Sequence, residues 1–239
     1  RSVLRKAGFD RAAQLIAGSA PCSTEMLERF RELGIEIHNA YGQTEAPLVT
    51  INRLGANRLG TVGEPLPETE VRIAPDGEVL VRGPQVTAGY FGSDASPVRD
   101  GWLYTGDLGR LTPNGALVIG GRKKEVFKTS YGKFVQPAKV EAALRELHGV
   151  AEAMVIGEAR PFCAGVVWAA PEACGNGIAK EIAAGIASVN AGLSHPEQIK
   201  RWAILRHDLS VEAGDLTSNL KLKRAAVLAR LGPVVEALY

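Results

Sequence analysis

The chain has 239 residues, 46% of them apolar, with 28 basic against 26 acidic side chains and a formal net charge of +2. That composition suits a globular protein of one or two domains, and so even a charge balance argues against a nucleic-acid partner. No run of about 18 apolar residues offers a transmembrane helix. The first ten residues, RSVLRKAGFD, lack the apolar core of a secretory leader. Cys22, Cys163 and Cys174 show no C-x-x-C spacing, so the expectation is a reducing, cytoplasmic setting and no structural zinc.

In chain order, a helix is expected around Leu4 to Ala7, then a short strand in QLIAGSAP that turns at Gly18 to Pro21. TEMLERFRELG carries Met26, Leu27, Phe30 and Leu33 at helical spacing, and Gly34 stands where such a helix stops. A buried strand is expected from Ile35 to His38. Strand, helix and strand with short links predict an α/β layer. The middle of the chain differs. ETEVRIAPDGEVLVRG alternates Val71, Ile73, Val79 and Val81 around Pro75-Asp76-Gly77, and GRLTPNGALVIGG repeats the pattern around Pro113-Asn114-Gly115. Antiparallel hairpins are therefore expected over 70–120. A third character begins at Gly121. PAKVEAALRELHG reads as a helix with Pro137 at its start, Val140, Leu144 and Leu147 on one face, Gly149 at its end, and a Glu141–Arg145 pair along its surface. Strands at 153–156 and 164–169, a helix near 177–191, a strand near 202–206 and a last helix from about Lys223 complete a small α/β unit. The predicted division is 1–121 and 122–239.

Several stretches carry candidate chemistry. NAYGQTEAP sets an aromatic ring, a glycine, a hydroxyl and a carboxylate in succession. An adenine can lie on Tyr41, Gly42 lets a ligand approach the backbone, Thr44 can reach a phosphate, and Glu45 suits Mg²⁺. A turn whose tyrosine packs inward and whose glutamate is solvated would read the same. Small residues at Gly18, Ser19 and Ala20 can let a flat base slide along the backbone, and in an open α/β sheet both turns face one crevice. WLYTGDLG places Asp107 at an expected turn, exposed and able to accept both hydroxyls of a ribose; a plain turn aspartate is the alternative. Arg122 in GGRKKE can share that ribose or a phosphate, or belong to a solvated basic linker. Lys221 reads by itself as a surface charge. His38, His148, His195 and His207 show no metal-ligand spacing, and neither a Gly-x-Ser-x-Gly elbow nor a Gly-x-x-x-x-Gly-Lys-Ser/Thr loop occurs.

The order of these stretches is more specific than any one of them. Gly18-Ser19-Ala20-Pro21, Tyr41-Gly42-Gln43-Thr44-Glu45, Gly60-Thr61-Val62-Gly63, Gly77-Glu78-Val79-Leu80-Val81-Arg82-Gly83, Tyr104-Thr105-Gly106-Asp107, Gly121-Arg122-Lys123-Lys124-Glu125 and Leu220-Lys221-Leu222-Lys223-Arg224 follow one another along nearly the whole chain. This resembles the adenylate-forming superfamily of acyl-CoA synthetases, luciferases and adenylation domains. GRKKEVFKTSYGKFVQPAKVE and LTSNLKLKR are most similar to long-chain fatty acyl-CoA synthetases. The resemblance implies the C-terminal part of a large ATP/AMP-binding domain followed by a small mobile domain, hinged about 121–125 at Lys124. It implies that Gly18 to Pro21, Asn39, Ala40, Tyr41, Gly42, Gln43, Thr44, Asp107, Ile119 and Arg122 surround the nucleotide, with adenine on Tyr41 and ribose on Asp107. Thr44, Glu45 and Lys221 take catalytic roles, Glu45 as the Mg²⁺ ligand and Lys221 as the lysine brought to the acyl-adenylate. Ser130, Tyr131 and Gly132 form part of the CoA channel.

The implied activity is ATP-dependent conversion of a fatty acid to its acyl-CoA. Two departures qualify it. The family's Ser/Thr/Gly-rich phosphate loop is not in the sequence, and Tyr131 stands where many relatives carry a small residue. The chain is therefore expected to need an upstream part of the same polypeptide and to be inactive alone, with 122–239 the better able to fold by itself. An acyl-AMP ligase that loads a carrier protein and a non-catalytic nucleotide-binding module are the alternatives. KLKRAAVLARL is compatible with weak peripheral membrane contact, although a helix completing the small domain is the favoured reading.

Overall fold

The computed structural model describes residues 2–20, 22–92, 95–173, 177–206 and 208–239. The chain divides into two units, Arg1–Lys123 and Lys124–Tyr239. In the first, α1 (Ser2–Lys6) precedes β1 (Leu15–Ala17), α2 (Thr24–Glu32) and β2 (Ile37–Gln43). β1 and β2 are parallel, with Leu15 opposite Ile37, so α2 is the crossover that parallel pairing requires. Ser23 caps α2 by accepting the Met26 N–H at 3.1 Å, and Gly34, at φ +78°, ends it. Of the expected apolar stripe, Leu27 is buried while Met26 and Leu33 are exposed. The predicted strand also shifts. Ile35 is buried in the link, and β2 begins at Ile37 and runs on through the motif to Gln43.

β3 (Ala46–Ile51) turns back antiparallel on β2, and β4 (Glu64–Pro65) completes the order β1-β2-β3-β4. A second sheet holds β5 (Glu70–Ile73), β6 (Glu78–Arg82), β7 (Val98–Arg99), β8 (Trp102–Leu111) and β9 (Leu117–Arg122) in the order β5-β6-β8-β7, with β9 paired to β8. The two expected hairpins are these, turned by Gly77 and Gly115 at φ +86° and +80°. Val79 and Val81 alternate inward onto Ala46, Val49, Leu103 and Leu117.

The second unit starts within a 3-10 turn, Lys123–Glu125, and continues with β10 (Phe127–Lys128), β11 (Phe134–Val135), α3 (Pro137–Arg145), β12 (Val150–Ile156) and β13 (Cys163–Ala169). α4 (Ile178–Ala191), β14 (Ile199–Arg206), α5 (Arg224–Arg230) and α6 (Gly232–Glu236) follow. Its central sheet runs β12-β13-β14, antiparallel and then parallel. Alternate residues face opposite ways. Ala153, Val155 and Val167 pack with Val140, Leu144, Ile182 and Ile186 of α3 and α4, while Met154, Val166 and Trp168 pack with Val227 and Leu231. A sheet covered on both faces is the expected α/β arrangement. Two details of the expected helix change. α3 ends at Arg145, with Gly149 four residues beyond it at φ +76°. The Glu141–Arg145 surface pair does not form: Arg145 bonds Glu152 at 2.8 Å, and Glu141 is buried against Arg224.

Candidate functional site

Asp107 is neither at a turn nor exposed. It lies in the ten-residue strand β8 and is 6% accessible. What the sequence signals as a turn is a bulge. Between the cross-strand pairs Glu78–Leu108 and Leu80–Tyr104, β6 advances two residues and β8 advances four. The excess is taken up at Thr105-Gly106-Asp107, with Gly106 at φ +71°, a conformation that costs glycine little. The local ladder is replaced by side chains. Gly106 N–H donates to Glu78 Oε1 at 2.9 Å, Thr105 Oγ1 donates to the Val79 carbonyl at 2.7 Å, and Asp107 N–H donates to Thr105 Oγ1 at 3.1 Å.

The Asp107 carboxylate is held at both oxygens. Tyr41 O–H donates to Oδ2 at 2.6 Å, and Arg122 Nε, from the facing strand β9, lies 3.0 Å from Oδ1. Arg122 also donates from Nη1 to the Thr105 carbonyl at 3.3 Å. Burial, and then the negative charge of Asp107, raise the Tyr41 phenol well above its ordinary pKa. The phenol is thus a fixed donor, and the carboxylate has a set orientation, suited to accepting hydrogen bonds from hydroxyls.

The remaining predicted residues of the first unit fall around β2 and its turn. Asn39 and Ala40 are buried strand residues, and Asn39 stands opposite Ala17 of β1. Gly18 follows β1, where a Cβ would come 3.2 Å from the Ala40 carbonyl oxygen; Ser19 (φ +66°) and Ala20 are exposed beside it. Pro21 lies outside the described residues, as do Cys174 and His207. Gly42 and Gln43 end β2, and Thr44 and Glu45 form the turn into β3. Gly42 has a packing reason beside the expected ligand approach. A Cβ there would sit 2.2 Å from the Pro47 carbonyl oxygen, so its close neighbour is the backbone of β3. Ile119 packs against the sheet core and pairs with Gly109.

In the second unit, Lys221 is exposed at the end of a tight turn. Thr217 Oγ1 accepts the Lys221 N–H at 3.1 Å, Thr217 N–H donates to the Lys221 carbonyl at 2.8 Å, and Leu216 bridges to Leu222. Lys124 is exposed in the 3-10 turn. Ser130, Tyr131 and Gly132 form the exposed connection between β10 and β11. Tyr131, with Thr129, Lys133, Phe162, His195 and Lys200, borders a cavity of about 280 Å³.

Three residues went unrecognised as contributors in the sequence. Glu78 was read only as part of a motif, and Lys123 as linker. Yet Lys123 Nζ bonds Asp76 at 2.5 Å and Glu78 at 2.7 Å. These bonds, to Asp76 first, raise the lysine pKa, and the same lysine lowers that of Asp76. Tyr90 O–H donates to Glu45 Oε1 at 2.6 Å, and that bond raises the Tyr90 pKa. Partners 45 residues apart in sequence leave no local signal. Among the described residues, no group of three or more His, Cys, Asp or Glu side chains is placed to hold a metal ion, and no helix is long and apolar enough to cross a membrane.

A family model described as AMP-binding enzyme matches residues 3–91, and one described as AMP-binding enzyme C-terminal domain matches residues 124–239. The long-chain-fatty-acid–CoA ligase FadD15 of Mycobacterium bovis is 35% identical over 248 residues, a match covering 94% of this chain but 41% of the ligase. Among solved structures, the A domain of the carboxylic acid reductase of Segniliparus rugosus, in complex with AMP and a co-purified carboxylic acid, matches with a TM-score of 0.79 at 25% identity, over all of this chain and 44% of that one. The amide bond synthetase McbA of Marinactinospora thermotolerans matches with a TM-score of 0.76 at 25% identity, over 96% of this chain and 49% of that one.

Proposed function

Because the chain belongs to the AMP-binding enzymes, we propose that it serves the ATP-dependent activation of a long-chain fatty acid, through an acyl-adenylate, to the CoA thioester. The chain spans 41% of the ligase it resembles, so the reading is of an enzyme of that full length, in which an upstream part of the same polypeptide shares the work. The observation that carries it is the Asp107 carboxylate, held by Tyr41 and Arg122; on this reading it would accept the two hydroxyls of a ribose.

Around that carboxylate, the Tyr41 ring would carry adenine, and Gly18 to Pro21, Asn39, Ala40, Gly42, Gln43 and Ile119 would line the nucleotide. Thr44, exposed on the turn, is free to meet a phosphate. Glu45, one oxygen of which accepts the Tyr90 O–H, would hold Mg²⁺ as a single carboxylate ligand. Bound there, the ion would offset the charge of the phosphates. Lys221 supplies the second positive charge, on an exposed side chain whose backbone is pinned at both ends of its turn. Lys124 is the hinge, and Ser130 to Gly132 line the route of the thiol. Adenylation and thiol transfer need different groups at one place, which a turning small domain supplies in succession.

The reductase and amide synthetase matches favour a second reading of the later step, transfer of the acyl group to another acceptor such as a carrier-protein thiol. The test is pyrophosphate exchange dependent on a long-chain fatty acid, followed by AMP release dependent on CoA. Replacing Lys221→Met is expected to lower exchange by about 10²–10³-fold, the loss typical of one removed charge-stabilising group, with the unfolding midpoint unchanged. Exchange equal to wild type in that variant would remove Lys221 from the reaction. AMP release driven by a carrier protein and not by CoA would select the second reading.

A further inference from the structure

We propose that Glu78 is a positioning residue for Asp107: its carboxylate, secured by Lys123, fixes the Gly106 amide and so holds the bulge from which Asp107 is aimed. The inference rests on the reading of Asp107 as the acceptor of the ribose hydroxyls.

An antiparallel ladder that continued unbroken from Leu80–Tyr104 would place residue 106 opposite Glu78; instead Leu108 stands there. Thr105 to Asp107 therefore stand against Val79 alone, two residues in excess of a regular ladder. Such chain settles into one shape only if its freed amides find acceptors. Two acceptors are side chains. Thr105 Oγ1 takes the Asp107 N–H and anchors itself on the Val79 carbonyl. Glu78 Oε1 takes the Gly106 N–H. A carboxylate 5% exposed needs a counter-charge, and Lys123 Nζ lies 2.7 Å from its other oxygen. Lys123 is tied in turn to Asp76 of the β5–β6 turn. The first strand residue of β6 and the residue just past β9 thus close on the strand between them from both sides. Tyr41 and Arg122 grip the Asp107 side chain, while Glu78 and Lys123 grip the backbone from which it rises. Lys123 is also the last residue of the first unit, one before the proposed hinge at Lys124.

The readout is hydroxyl discrimination, the ratio of the dissociation constants for 2′,3′-dideoxy-AMP and AMP measured by calorimetry, because a general loss of stability does not change that ratio. Wild type is expected to favour AMP by roughly tenfold or more, as for two hydrogen bonds to a charged acceptor. Glu78→Met, which deletes the acceptor at similar volume, is expected to lower the ratio about fivefold and to speed hydrogen exchange at the Gly106 amide. Glu78→Gln keeps an acceptor oxygen and is expected to hold the ratio within about twofold. Should Glu78→Met not fold, Lys123→Met carries the test, with a smaller loss of ratio and the same faster exchange. Asp107→Asn separates the two levels. If it lowers the ratio while Glu78→Met, or Lys123→Met in its place, leaves the ratio at wild type, the positioning role is overturned and the ribose reading stands. If Asp107→Asn leaves the ratio unchanged, or if wild type does not distinguish the two nucleotides, the ribose reading falls and the inference with it.

Discussion

Asp107 in the first unit and Glu141 in the second are both carboxylates, each 6% exposed and each beside an arginine. Glu141 projects from the middle of α3 and accepts the Val155 N–H of β12 at 2.8 Å; Arg224, at the start of α5, bonds Glu141 and donates to the Val155 carbonyl at 2.5 Å. One ion pair thereby fastens two helices to the edge strand β12, and Arg224 is itself largely covered. Asp107 rises instead from an interrupted strand. Its arginine is half exposed, and its second partner is a phenol from a different sheet. Burial alone does not separate an acid that fastens the fold from one proposed to meet a ligand. The two differ here in the backbone beneath the acid and in how much of the partner arginine stays open to solvent.

The largest effect expected from this contrast is on Glu141. Arg224→Met leaves a carboxylate buried with its counter-charge gone, which typically costs about 3–5 kcal/mol. Denaturant unfolding should show the second unit losing stability by that order, with the first unit unaffected. Arg145→Met removes the half-covered pair with Glu152, and such pairs contribute about 0–1 kcal/mol. Equal costs for the two variants would erase the distinction between a core fastener and a surface pair.

A middle-sized effect is expected at Gly42. If this glycine served only to let a ligand near the backbone, alanine would weaken nucleotide binding and leave stability alone. The Pro47 carbonyl oxygen, 2.2 Å from where the methyl would be, predicts otherwise. Gly42→Ala should destabilise the first unit by roughly 1–3 kcal/mol, the usual cost of forcing atoms into filled space, as read from its thermal midpoint without nucleotide. An unchanged midpoint with weakened binding would restore the ligand-approach explanation.

Legibility in the sequence followed the range of the interactions. Both hairpins were readable because Pro75-Asp76-Gly77 and Pro113-Asn114-Gly115 state their turns locally and the flanking valines state the period. Both faces of β12 were readable as apolar sequence, and Pro137 marked the start of α3. Asp107 was recognised but misplaced, because glycine and aspartate before a break in alternation signal a turn and a bulge alike. Glu141 was given its neighbour Arg145 because helical spacing offers that partner. The actual partner is 83 residues away, chosen by burial, a tertiary fact. Glu78 and Lys123, 45 residues apart, escaped notice for the same reason.

The smallest effect concerns the phenol that joins β2 to β8. In an unfolded chain a tyrosine ionises near pH 10; in the folded unit, burial and the charge of Asp107 hold the Tyr41 proton to higher pH. Below pH 10 both states are protonated and the contribution to stability is fully present. Above it the unfolded chain releases its proton first, so stability falls as pH rises toward the folded value. Tyr41→Phe should cost about 1.5–2 kcal/mol at neutral pH, the low end for one hydrogen bond to a charged acceptor, and should flatten the loss of stability above pH 10 relative to wild type. Tyr90, whose pKa is raised by Glu45, contributes to both proteins alike and cancels in the difference. Denaturant midpoints from pH 7 to 11 supply the comparison. Parallel pH curves for wild type and Tyr41→Phe would mean that the phenol does not give its proton to Asp107, and that the carboxylate is oriented by Arg122 and the bulge.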